Sequence, residues 1–379
     1  MAFPRRTTLE STRLHDWHVA RGAKMAPFAG YDMPISYPTG SVEEHNICRR
    51  SVGLFDIDHM GQVEVSGPGA DAFVSGLVSA PVLDMADNDA RYSLLLSEEG
   101  TVLDDLFIYR LPGKWWIVVN ASNRHADVAW MKSRAPASGV AIDDLSDAVY
   151  MIAVQGPNAC RLMDLASGGK ISPMTRFTSA ELALALGGRS VKALVGRTGY
   201  TGEDGVELFF PADDAHAVWQ GLLDLAAAHG IEAGPIGLGA RDSLRFEAGM
   251  PLHGHEISPS INPVEAGFKW ACDFSKDFVG KAAVEAVAAS GPARKLVGLE
   301  VTGGVPREGY VVLGPDGKET GACVAGMFCP SVGKYAANAF VRPEHAKAGT
   351  VLKVLIRDKE KDAVVVKRPL YVPVYRRQA

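Results

Sequence analysis

The chain has 379 residues, of which 47% are hydrophobic and 22% are charged, and its formal net charge at pH 7 is −5. A chain this apolar buries enough surface to offset the entropy lost on folding, which excludes disorder as its main state, and its length suffices for two or three globular units. The slight acidity excludes a general attraction to nucleic acids, and no run of about 20 apolar residues indicates a membrane span.

Cysteine usage and the N-terminus indicate the compartment. The five cysteines form no C-x-x-C pair and are odd in number, which argues against a disulfide framework. No apolar segment typical of a secretory signal follows the first residues. A cytoplasmic location is therefore expected.

Several elements follow from the patterning. Apolar and polar residues alternate over 62–66, which predicts a half-buried strand, and a denser apolar run predicts a buried strand over 115–120. Apolar residues at helical spacing predict a helix over 213–230, opened by acidic residues and closed by glycine. The Asp316-Gly317 pair predicts a hairpin turn near the C-terminus.

One pattern occurs twice. In residues 63–73 and again in 152–162, a strand ends in Gly-Pro and a helix follows, with proline at a position where its missing N–H costs little. Two related strand–helix modules are therefore expected in the N-terminal two thirds. After the linker at Gly291-Pro292 the pattern changes to short strands, which predicts a separate β-rich C-terminal domain.

Familiar catalytic motifs are missing. The sequence has no phosphate-binding loop, dinucleotide fingerprint, H-E-x-x-H pair or G-x-S-x-G elbow. His253-Gly-His255 offers two imidazoles without a matching Cys or His pair, so no metal site is expected. Cys329 precedes a proline, and packing is a better interpretation for it than nucleophilic catalysis.

The segment 101–109 is a first candidate for chemistry. As a strand, it places Asp105, Phe107 and Tyr109 on one face and Asp104 on the other. A carboxylate beside two aromatic rings would form a wall for a flat heterocycle. The alternative is an Asp-Asp turn that enters a strand, with Asp104 as its cap and Asp105 in solvent.

Two further segments carry glycines next to functional side chains. The stretch from Arg197 to Gly205 has three glycines in seven residues, presents Tyr200 and leads into a strand with Glu207; the alternative is an ordinary glycine-rich hairpin. Arg241 follows a Gly-x-Gly turn, from which it would bind a ligand carboxylate bidentately. The alternative there is an Arg–Asp helix pair without a ligand.

Together with other motifs, these segments resemble the aminomethyltransferase (T protein) family of the glycine cleavage system. The motifs are Gly-Ala-Lys-Met25-x-Pro-Phe-Ala-Gly30, Tyr37-Pro-Thr-Gly40, Gly-Leu-Phe-Asp56-x-x-His59-Met60-Gly61, Ala90-Arg-Tyr92-Ser, Leu103-Asp-Asp105-Leu, Arg197-Thr-Gly-Tyr-Thr-Gly-Glu-Asp-Gly205, Gly237-Leu-Gly-Ala-Arg-Asp242, Arg245-x-Glu-Ala-Gly-Met-Pro251 and Asn262-Pro-x-Glu-Ala-Gly267. They occur in the family's order, from about residue 8 to about residue 371.

The resemblance implies a fold and an activity. The implied fold is α+β, a cloverleaf of two related α+β units with antiparallel sheets around a central folate channel (1–285), plus a C-terminal β-barrel domain (293–379). The implied reaction moves a one-carbon unit to tetrahydrofolate from the aminomethyl-lipoyl arm of the H protein, and it yields 5,10-methylenetetrahydrofolate and ammonia. The alternative is a tetrahydrofolate-dependent demethylase of a small N-, O- or S-methyl compound, and a non-catalytic folate-binding protein is disfavoured because its K-G-C-Y-x-G-Q-E-like motif is absent.

The resemblance also implies site residues. Asp105 corresponds to the catalytic carboxylate beside the reacting folate nitrogens, and Glu207 corresponds to the pterin anchor. The other implied cofactor contacts are Met60, Tyr92, Asn120, Tyr200, Arg241 and Tyr375. No metal is implied, because folate chemistry of this kind needs orientation, a carboxylate and exclusion of water.

Four positions depart from the family pattern. Asp58 stands where the family usually has serine, and His253 stands where it usually has tyrosine. Cys329 replaces a serine, and Asn338 lies in a segment that is usually apolar. These departures leave the one-carbon donor open.

Overall fold

A computed structural model describes residues 9–373 and residue 375. The chain divides into two compact units. The first unit comprises Met1–Ala70, Met85–Arg91 and Phe107–Leu244, and the second unit comprises Asp71–Asp84, Tyr92–Leu106 and Arg245–Ala379. The division expected from the sequence, 1–285 and 293–379, follows the linear order of the chain and stays a prediction.

The described residues form eight α-helices and nineteen strands. The helices are α1 (His15–Ala20), α2 (Ser41–Arg50), α3 (Ala70–Leu77), α4 (Arg124–Arg134), α5 (Ala159–Ser167), α6 (Ala215–Ala228), α7 (Leu238–Glu247) and α8 (Lys281–Ser290). Short 3-10 helices lie at Ala212–Asp214, Lys269–Ala271 and Pro343–His345. The strands are β1 (Lys24–Phe28), β2 (Tyr31–Ser36), β3 (Val52–Asp56), β4 (Gly61–Ser66), β5 (Ala90–Leu96), β6 (Val102–Leu111), β7 (Lys114–Val119), β8 (Ala141–Asp144), β9 (Val149–Gln155), β10 (Ser179–Leu186), β11 (Arg189–Gly196), β12 (Gly205–Pro211), β13 (Ala233–Pro235), β14 (Lys295–Val301), β15 (Val311–Leu313), β16 (Glu319–Cys329), β17 (Lys334–Val341), β18 (Val351–Ile356) and β19 (Lys359–Val366).

The elements predicted from patterning are present. The strands expected at 62–66 and 115–120 are β4 and β7, and the helix expected over 213–230 is α6 with a 3-10 turn before it. Both strand–Gly-Pro–helix modules occur, as β4 with α3 and β9 with α5. Their glycines are required: Gly156 has φ +131°, and a Cβ there would lie 2.1 Å from the Ser51 carbonyl oxygen.

A six-stranded sheet, in the order β10-β11-β12-β9-β3-β13, is the centre of the first unit. Its neighbours are antiparallel except β13, which runs parallel to β3. The period-two alternation of β12 explains its two faces. Val206 and Leu208 belong to the core that α5 and α6 cover, whereas Phe209 belongs to a second core on the opposite face.

A five-stranded sheet has the order β5-β6-β7-β4-β8. Residues 107–111 of β6 pair with β7, and their side chains contribute to the second core. Tyr109 and Trp116 meet Phe209 there, with ring centroids 5.6 and 5.8 Å away in edge-on geometry. Buried aromatic pairs of this kind favour such geometry. Glu207, two residues before Phe209, therefore lies on the same face of β12 as Phe209, towards the second core.

The second unit contains a closed six-stranded barrel, in the order β14-β17-β16-β15-β18-β19. Its interior is filled by apolar side chains of alternating residues, such as Val297, Leu299 and Val301 of β14. This barrel confirms the β-rich C-terminal region, and with the antiparallel sheets of the chain it confirms the α+β fold class. No helix within residues 9–373 is both long and apolar enough to span a membrane.

A fully buried ion pair stabilises the second unit. Arg245 Nη1 donates to Glu256 Oε2 at 2.9 Å, and the two side chains are 1% and 0% exposed. Glu256 also accepts hydrogen bonds from the Leu252 amide at 3.0 Å and from Asn338 Nδ2 at 2.6 Å. Burial alone would raise the pKa of Glu256. The charge of Arg245 and these hydrogen bonds outweigh burial and lower that pKa. Asn338 therefore has a clear structural role as a donor to this carboxylate.

Removal of one member of this pair should be costly. We expect Glu256→Gln to lower the free energy of unfolding by about 3–5 kcal/mol, because it removes the buried carboxylate charge that contacts the Arg245 guanidinium. Asn338→Leu should cost less, about 1–3 kcal/mol, because two other donors still hold Glu256. Urea denaturation of both variants measures the difference, and two equal, small effects would contradict it.

Candidate functional site

The glycine-rich loop between β11 and β12 is held by the side chain of Gln155 at the end of β9. Gln155 Nε2 donates to the carbonyl oxygens of Thr198 at 3.0 Å and Val206 at 3.2 Å, and Thr201 Oγ1 donates to Gln155 Oε1 at 3.0 Å. Gly199 is required beside this amide, since a Cβ there would lie 1.9 Å from Oε1. The loop is thus an ordered support rather than a free hairpin.

Two arginine–carboxylate pairs fix the same loop. Arg49 Nη1 donates to Glu203 Oε1 at 3.0 Å and to the Thr201 carbonyl oxygen at 2.7 Å. Arg197 contacts both carboxylate oxygens of Asp204, at 3.3 and 2.7 Å. Bidentate pairs combine charge with directional hydrogen bonds. The acidic residues of the Gly-Glu-Asp-Gly motif are therefore structural.

Glu207 is the carboxylate that the loop positions. It lies on β12 opposite Gly196 and is 8% exposed. Its Oε2 accepts hydrogen bonds from Thr198 Oγ1 at 2.5 Å and from the Tyr109 hydroxyl at 3.3 Å. Burial raises the pKa of Glu207, although the Thr198 hydrogen bond and the charge of Arg241 act in the opposite direction.

Tyr109 lies beneath Glu207 and does not line an open wall. It is fully buried, and a Cβ at position 196 would meet its ring and hydroxyl at 2.7 Å, which explains the glycine of β11. Phe107, two residues earlier on β6, is half-buried and stacks on Phe177 with centroids 6.2 Å apart at 27°. The predicted aromatic face of β6 is present, with Tyr109 as a support for Glu207.

Phe177 belongs to none of the motifs that sequence analysis selected. Its ring is 47% exposed and its φ is +62°, a conformation that bulky residues avoid. Two backbone hydrogen bonds hold it there, from the Phe177 amide to the Arg197 carbonyl oxygen and from the Ala90 amide to the Phe177 carbonyl oxygen. A positive φ at a phenylalanine has no local sequence signal.

Arg241 and Tyr200 come together from separate elements. Arg241 is on α7, and its guanidinium carbon lies 4.8 Å from the centre of the Tyr200 ring. The turn before α7 requires Gly237, because a Cβ there would lie 2.4 Å from the Ile35 carbonyl oxygen. Burial lowers the pKa of Arg241, and the groups of Tyr200 and Glu207 oppose that shift. The predicted Tyr200, Glu207 and Arg241 thus belong to one region of the first unit.

A buried polar network surrounds Asp56, the last residue of β3. Asp56 Oδ2 accepts hydrogen bonds from Thr12 Oγ1 at 2.7 Å and from His18 Nε2 at 2.9 Å, and Tyr37 donates to His18 Nδ1 at 2.8 Å. Burial alone would raise the pKa of Asp56, but the hydrogen bond with His18 and its other donors outweigh burial and lower it. This carboxylate is fully satisfied and structural.

Asp58, the departure from the family serine, is half-buried beside that network. Its Oδ1 accepts a hydrogen bond from the Met151 amide at 3.3 Å, and its own amide donates to Asp56 Oδ1 at 3.2 Å. Burial and the negative charge of Asp56 raise the pKa of Asp58 to about 8. Asp58 is therefore largely protonated at neutral pH.

Met60 and Asn120 also lie in the first unit. Met60 is half-buried and packs against the second core, as Phe107 does, and its carbonyl oxygen accepts a hydrogen bond from Gln62 Nε2 at 2.8 Å. Asn120 follows β7, and its carbonyl oxygen accepts the amides of Asn123 and Arg124 at the start of α4. Neither residue contacts Glu207 in the hydrogen bonds described, so their cofactor roles stay predictions.

Asp105 and Tyr92 belong to the second unit. Both carboxylates of the Asp-Asp pair lie inside β6, so the interpretation as a turn is wrong; Asp104 is fully buried and Asp105 is half-buried. Tyr92 stacks on Trp270 with centroids 5.6 Å apart at 28°, and Trp270 is 67% exposed. Tyr375 is half-buried, and its role stays a prediction.

The remaining candidates have simple explanations. Cys329 is fully buried in an apolar cluster with Phe246, as expected for packing, and none of the five cysteines forms a disulfide. His253 is half-buried, and its Nε2 has no hydrogen-bond partner among the described residues. Within residues 9–373 there is no cluster of three or more His, Cys, Asp or Glu side chains arranged to hold a metal ion.

Known proteins resemble this chain over almost its whole length. Residues 14–276 match the family described as GCVT N-terminal domain, and residues 294–371 match the glycine cleavage T-protein C-terminal barrel domain. The aminomethyltransferase of Herpetosiphon aurantiacus is 41% identical over 97% of this chain and 100% of its own, and that of Bacillus subtilis is 40% identical over 96% and 99%. The crystal structure of the glycine cleavage system aminomethyltransferase T from Bartonella henselae has a TM-score of 0.89 at 32% identity, covering 97% of this chain and 99% of that one.

The fold and these relatives define an enzyme of the transferase class that handles one-carbon units. The chain belongs to the aminomethyltransferase (T protein) family of the glycine cleavage system, and aminomethyl transfer is its activity.

The position of Asp58 predicts a pH dependence of stability. Its folded pKa is raised above the unfolded value, so its ionisation costs stability as pH rises from about 4 to about 8. We expect Asp58→Asn, which cannot ionise, to gain free energy of unfolding relative to the unchanged protein across this window, by up to about 1.4 kcal/mol per pH unit. Urea denaturation at several pH values measures the gain. Asp143→Asn, at an exposed carboxyl of β8, is the control, and a gain that does not grow with pH would contradict the assignment.

Proposed function

We propose that the chain transfers the aminomethyl group of the lipoyl arm of the H protein to tetrahydrofolate, which yields 5,10-methylenetetrahydrofolate and ammonia. The observation that carries the proposal is the environment of Glu207. Its Oε2 is held by two hydroxyls, whereas its Oε1 accepts no hydrogen bond from the described residues. A buried carboxylate with one positioned and one open oxygen is built to accept donors from a ligand.

Reduced folate fits this carboxylate. The pterin ring presents a ring N–H and an exocyclic amine side by side, and a carboxylate is their natural acceptor. Thr198 and Tyr109 fix the orientation of the Glu207 carboxylate, so its open oxygen already has one orientation before a ligand binds. Fixed orientation reduces the entropic cost of binding.

Arg241 and Tyr200 support the other end of such a ligand. Within the described residues, no carboxylate lies at ion-pair distance from the Arg241 guanidinium, which packs on the Tyr200 ring. A guanidinium held by an aromatic face keeps its N–H fork available for a carboxylate. We therefore assign Arg241 to the carboxylate-bearing tail of folate and Tyr200 to the positioning of Arg241.

Asp105 is the proposed catalytic carboxylate. Two folate amines form bonds to the aminomethyl carbon, and its two old bonds break: the amine leaves as ammonia and the lipoyl sulfur leaves as the thiol. Positive charge develops at nitrogen as the amines attack. A half-buried carboxylate stabilises that charge more strongly than water does. Met60, Tyr92, Asn120 and Tyr375 remain proposed contacts of the same co-substrate. We also propose a cytoplasmic location, with no nucleic-acid or membrane partner.

The donor distinguishes the main proposal from its alternative. His253 stands where the family usually has tyrosine. Its imidazole is half-buried, and its Nε2 forms no hydrogen bond within the described residues. This departure is the reason to test small N-, O- or S-methyl donors. A screen with tetrahydrofolate should show turnover with aminomethylated H protein and none with small methyl donors. Turnover with a methyl donor alone would establish the demethylase instead.

Loss of the anchor should weaken folate binding. We expect Glu207→Ala to lower tetrahydrofolate affinity about 30-fold or more, because a charge-assisted interaction of about 2–4 kcal/mol is lost. Anaerobic titration calorimetry in excess chelator measures the affinity and also tests binding without a metal. Glu181→Ala, at an exposed position of β10 in the same sheet, is the matched control. Unchanged affinity in the Glu207 variant would contradict the assignment.

Loss of the catalytic charge should slow turnover. We expect Asp105→Asn to lower kcat about a hundred-fold or more while tetrahydrofolate affinity stays within a few-fold, because the carboxylate acts mainly in the transition state. Glu99→Gln, at the exposed turn before β6, is the control for charge removal.

Asp104→Asn separates structure from catalysis. Asp104 is fully buried, so its variant should lose stability while the folded fraction keeps its rate. A larger fall in kcat for Asp104→Asn than for Asp105→Asn would reverse the assignment.

A further inference from the structure

His59 occupies an unusual position in the loop between β3 and β4. Its side chain is 3% exposed, and its ring packs edge-on against Phe28 with centroids 5.5 Å apart. The ring of Tyr31 lies 6.5 Å away at 59°. These two aromatic neighbours fix the plane of the imidazole and form no hydrogen bond with it. The proposed reaction assigns no role to this histidine.

Neither ring nitrogen of His59 forms a hydrogen bond within the described residues, yet the two differ. Nδ1 is shielded from solvent and has no hydrogen-bond partner, whereas Nε2 is not fully shielded from solvent. An N–H buried without an acceptor is more costly than a lone pair buried without a donor. The proton therefore lies on Nε2, and His59 presents an N–H donor at its accessible edge.

Burial, with the charge of Arg241, keeps His59 a neutral donor. Burial and the charge of Arg241 lower the pKa of His59 to about 3, with Asp56 acting in the opposite direction. Asp56 is not the missing acceptor, because Thr12 and His18 already hold its Oδ2. The Nε2–H of His59 thus has no acceptor within the described residues.

Arg241 has the same deficit. Its guanidinium packs on Tyr200, and Glu207 acts on it through charge without an ion pair at contact distance. Buried polar groups almost always have partners, and exceptions often mark places where a ligand supplies them. His59 is such an exception, and the half-buried Arg241 guanidinium has no carboxylate at ion-pair distance within the described residues. Ile57, two residues before His59, lies in the same core as Ala240, the residue before Arg241, and Met60 packs against that core. The loop of His59 and the start of α7 are therefore neighbours, and both groups are donors.

We propose that His59 Nε2 and Arg241 together bind a ligand carboxylate, with His59 as a second, uncharged donor beside the guanidinium fork. The inference rests on the proposed function in one respect, since the carboxylate is then that of the glutamate moiety of tetrahydrofolate. A carboxylate has two oxygens and about four acceptor positions, so it accommodates both donors. His59 thereby becomes a determinant of affinity for the tail and not for the pterin ring.

Three variants of His59 test this assignment. His59→Phe keeps a flat ring and removes the donor, His59→Gln places an amide N–H near the position of Nε2, and His59→Asn places one near Nδ1. His216→Asn, at an exposed position of α6, is the matched control. Calorimetry is performed with tetrahydrofolate, with a tetrahydropterin that lacks the tail, and with 4-aminobenzoylglutamate, and thermal unfolding confirms that each variant is folded.

We expect His59→Phe and His59→Asn to weaken tetrahydrofolate about tenfold or more, and His59→Gln to recover most of that loss. The same pattern should hold for 4-aminobenzoylglutamate, whereas the tetrahydropterin should bind all variants alike. If His59→Phe does not fold, the contrast between the glutamine and asparagine variants decides the question. Unchanged tetrahydrofolate affinity, or an equal loss with the tail-free pterin, would overturn the inference.

Failure of the proposed function gives a different result. In that case the unchanged protein binds neither tetrahydrofolate nor the pterin. Binding of 4-aminobenzoylglutamate that depends on His59, without binding of the pterin, would support a carboxylate site whose ligand is not folate.

Discussion

The side-chain amide of Gln155 is the contact on which the first unit's site depends. It joins the end of β9 to the carbonyl oxygens of Thr198 and Val206 and to the hydroxyl of Thr201. A buried amide satisfied on both sides specifies one loop conformation, because any other would leave polar groups unpaired. The hydroxyl of Thr198 in turn holds Glu207. The anchor for a ligand thus derives its orientation from a residue that need not touch the ligand.

Charge compensation separates the structural groups from the functional ones. Arg49 with Glu203, and Arg245 with Glu256, are buried pairs at 3.0 and 2.9 Å that stabilise their own units. By contrast, neither Glu207 Oε1 nor either ring nitrogen of His59 forms a hydrogen bond within the described residues, and Arg241 has no carboxylate there at ion-pair distance. Unpaired buried groups cost stability unless a ligand completes them. Their presence in one region distinguishes a binding site from an ordinary core.

The sequence supported the fold further than it supported the chemistry. Period-two alternation located β4, and the Gly-Pro signals located both strand–helix modules, because these patterns reflect local geometry. Alternation also separated Asp105 from Asp104 on β6, and the structure confirms that they differ in burial. It failed for Tyr109, which lies on the predicted face but is fully buried, because burial depends on what packs against a strand.

The sequence by itself predicted β4, β7, α6, the two strand–helix modules and a β-rich C-terminal region. Its motifs indicated the family, and through that resemblance the barrel. Tertiary structure alone decided which polar groups are satisfied. Gln155 and Thr198 stand in different motifs, as do His59 and Arg241, and chain spacing says nothing about their proximity. The physical reason is that hydrogen-bond satisfaction and pKa shifts arise from neighbours brought together by packing, whereas periodicity reports only each residue's own segment.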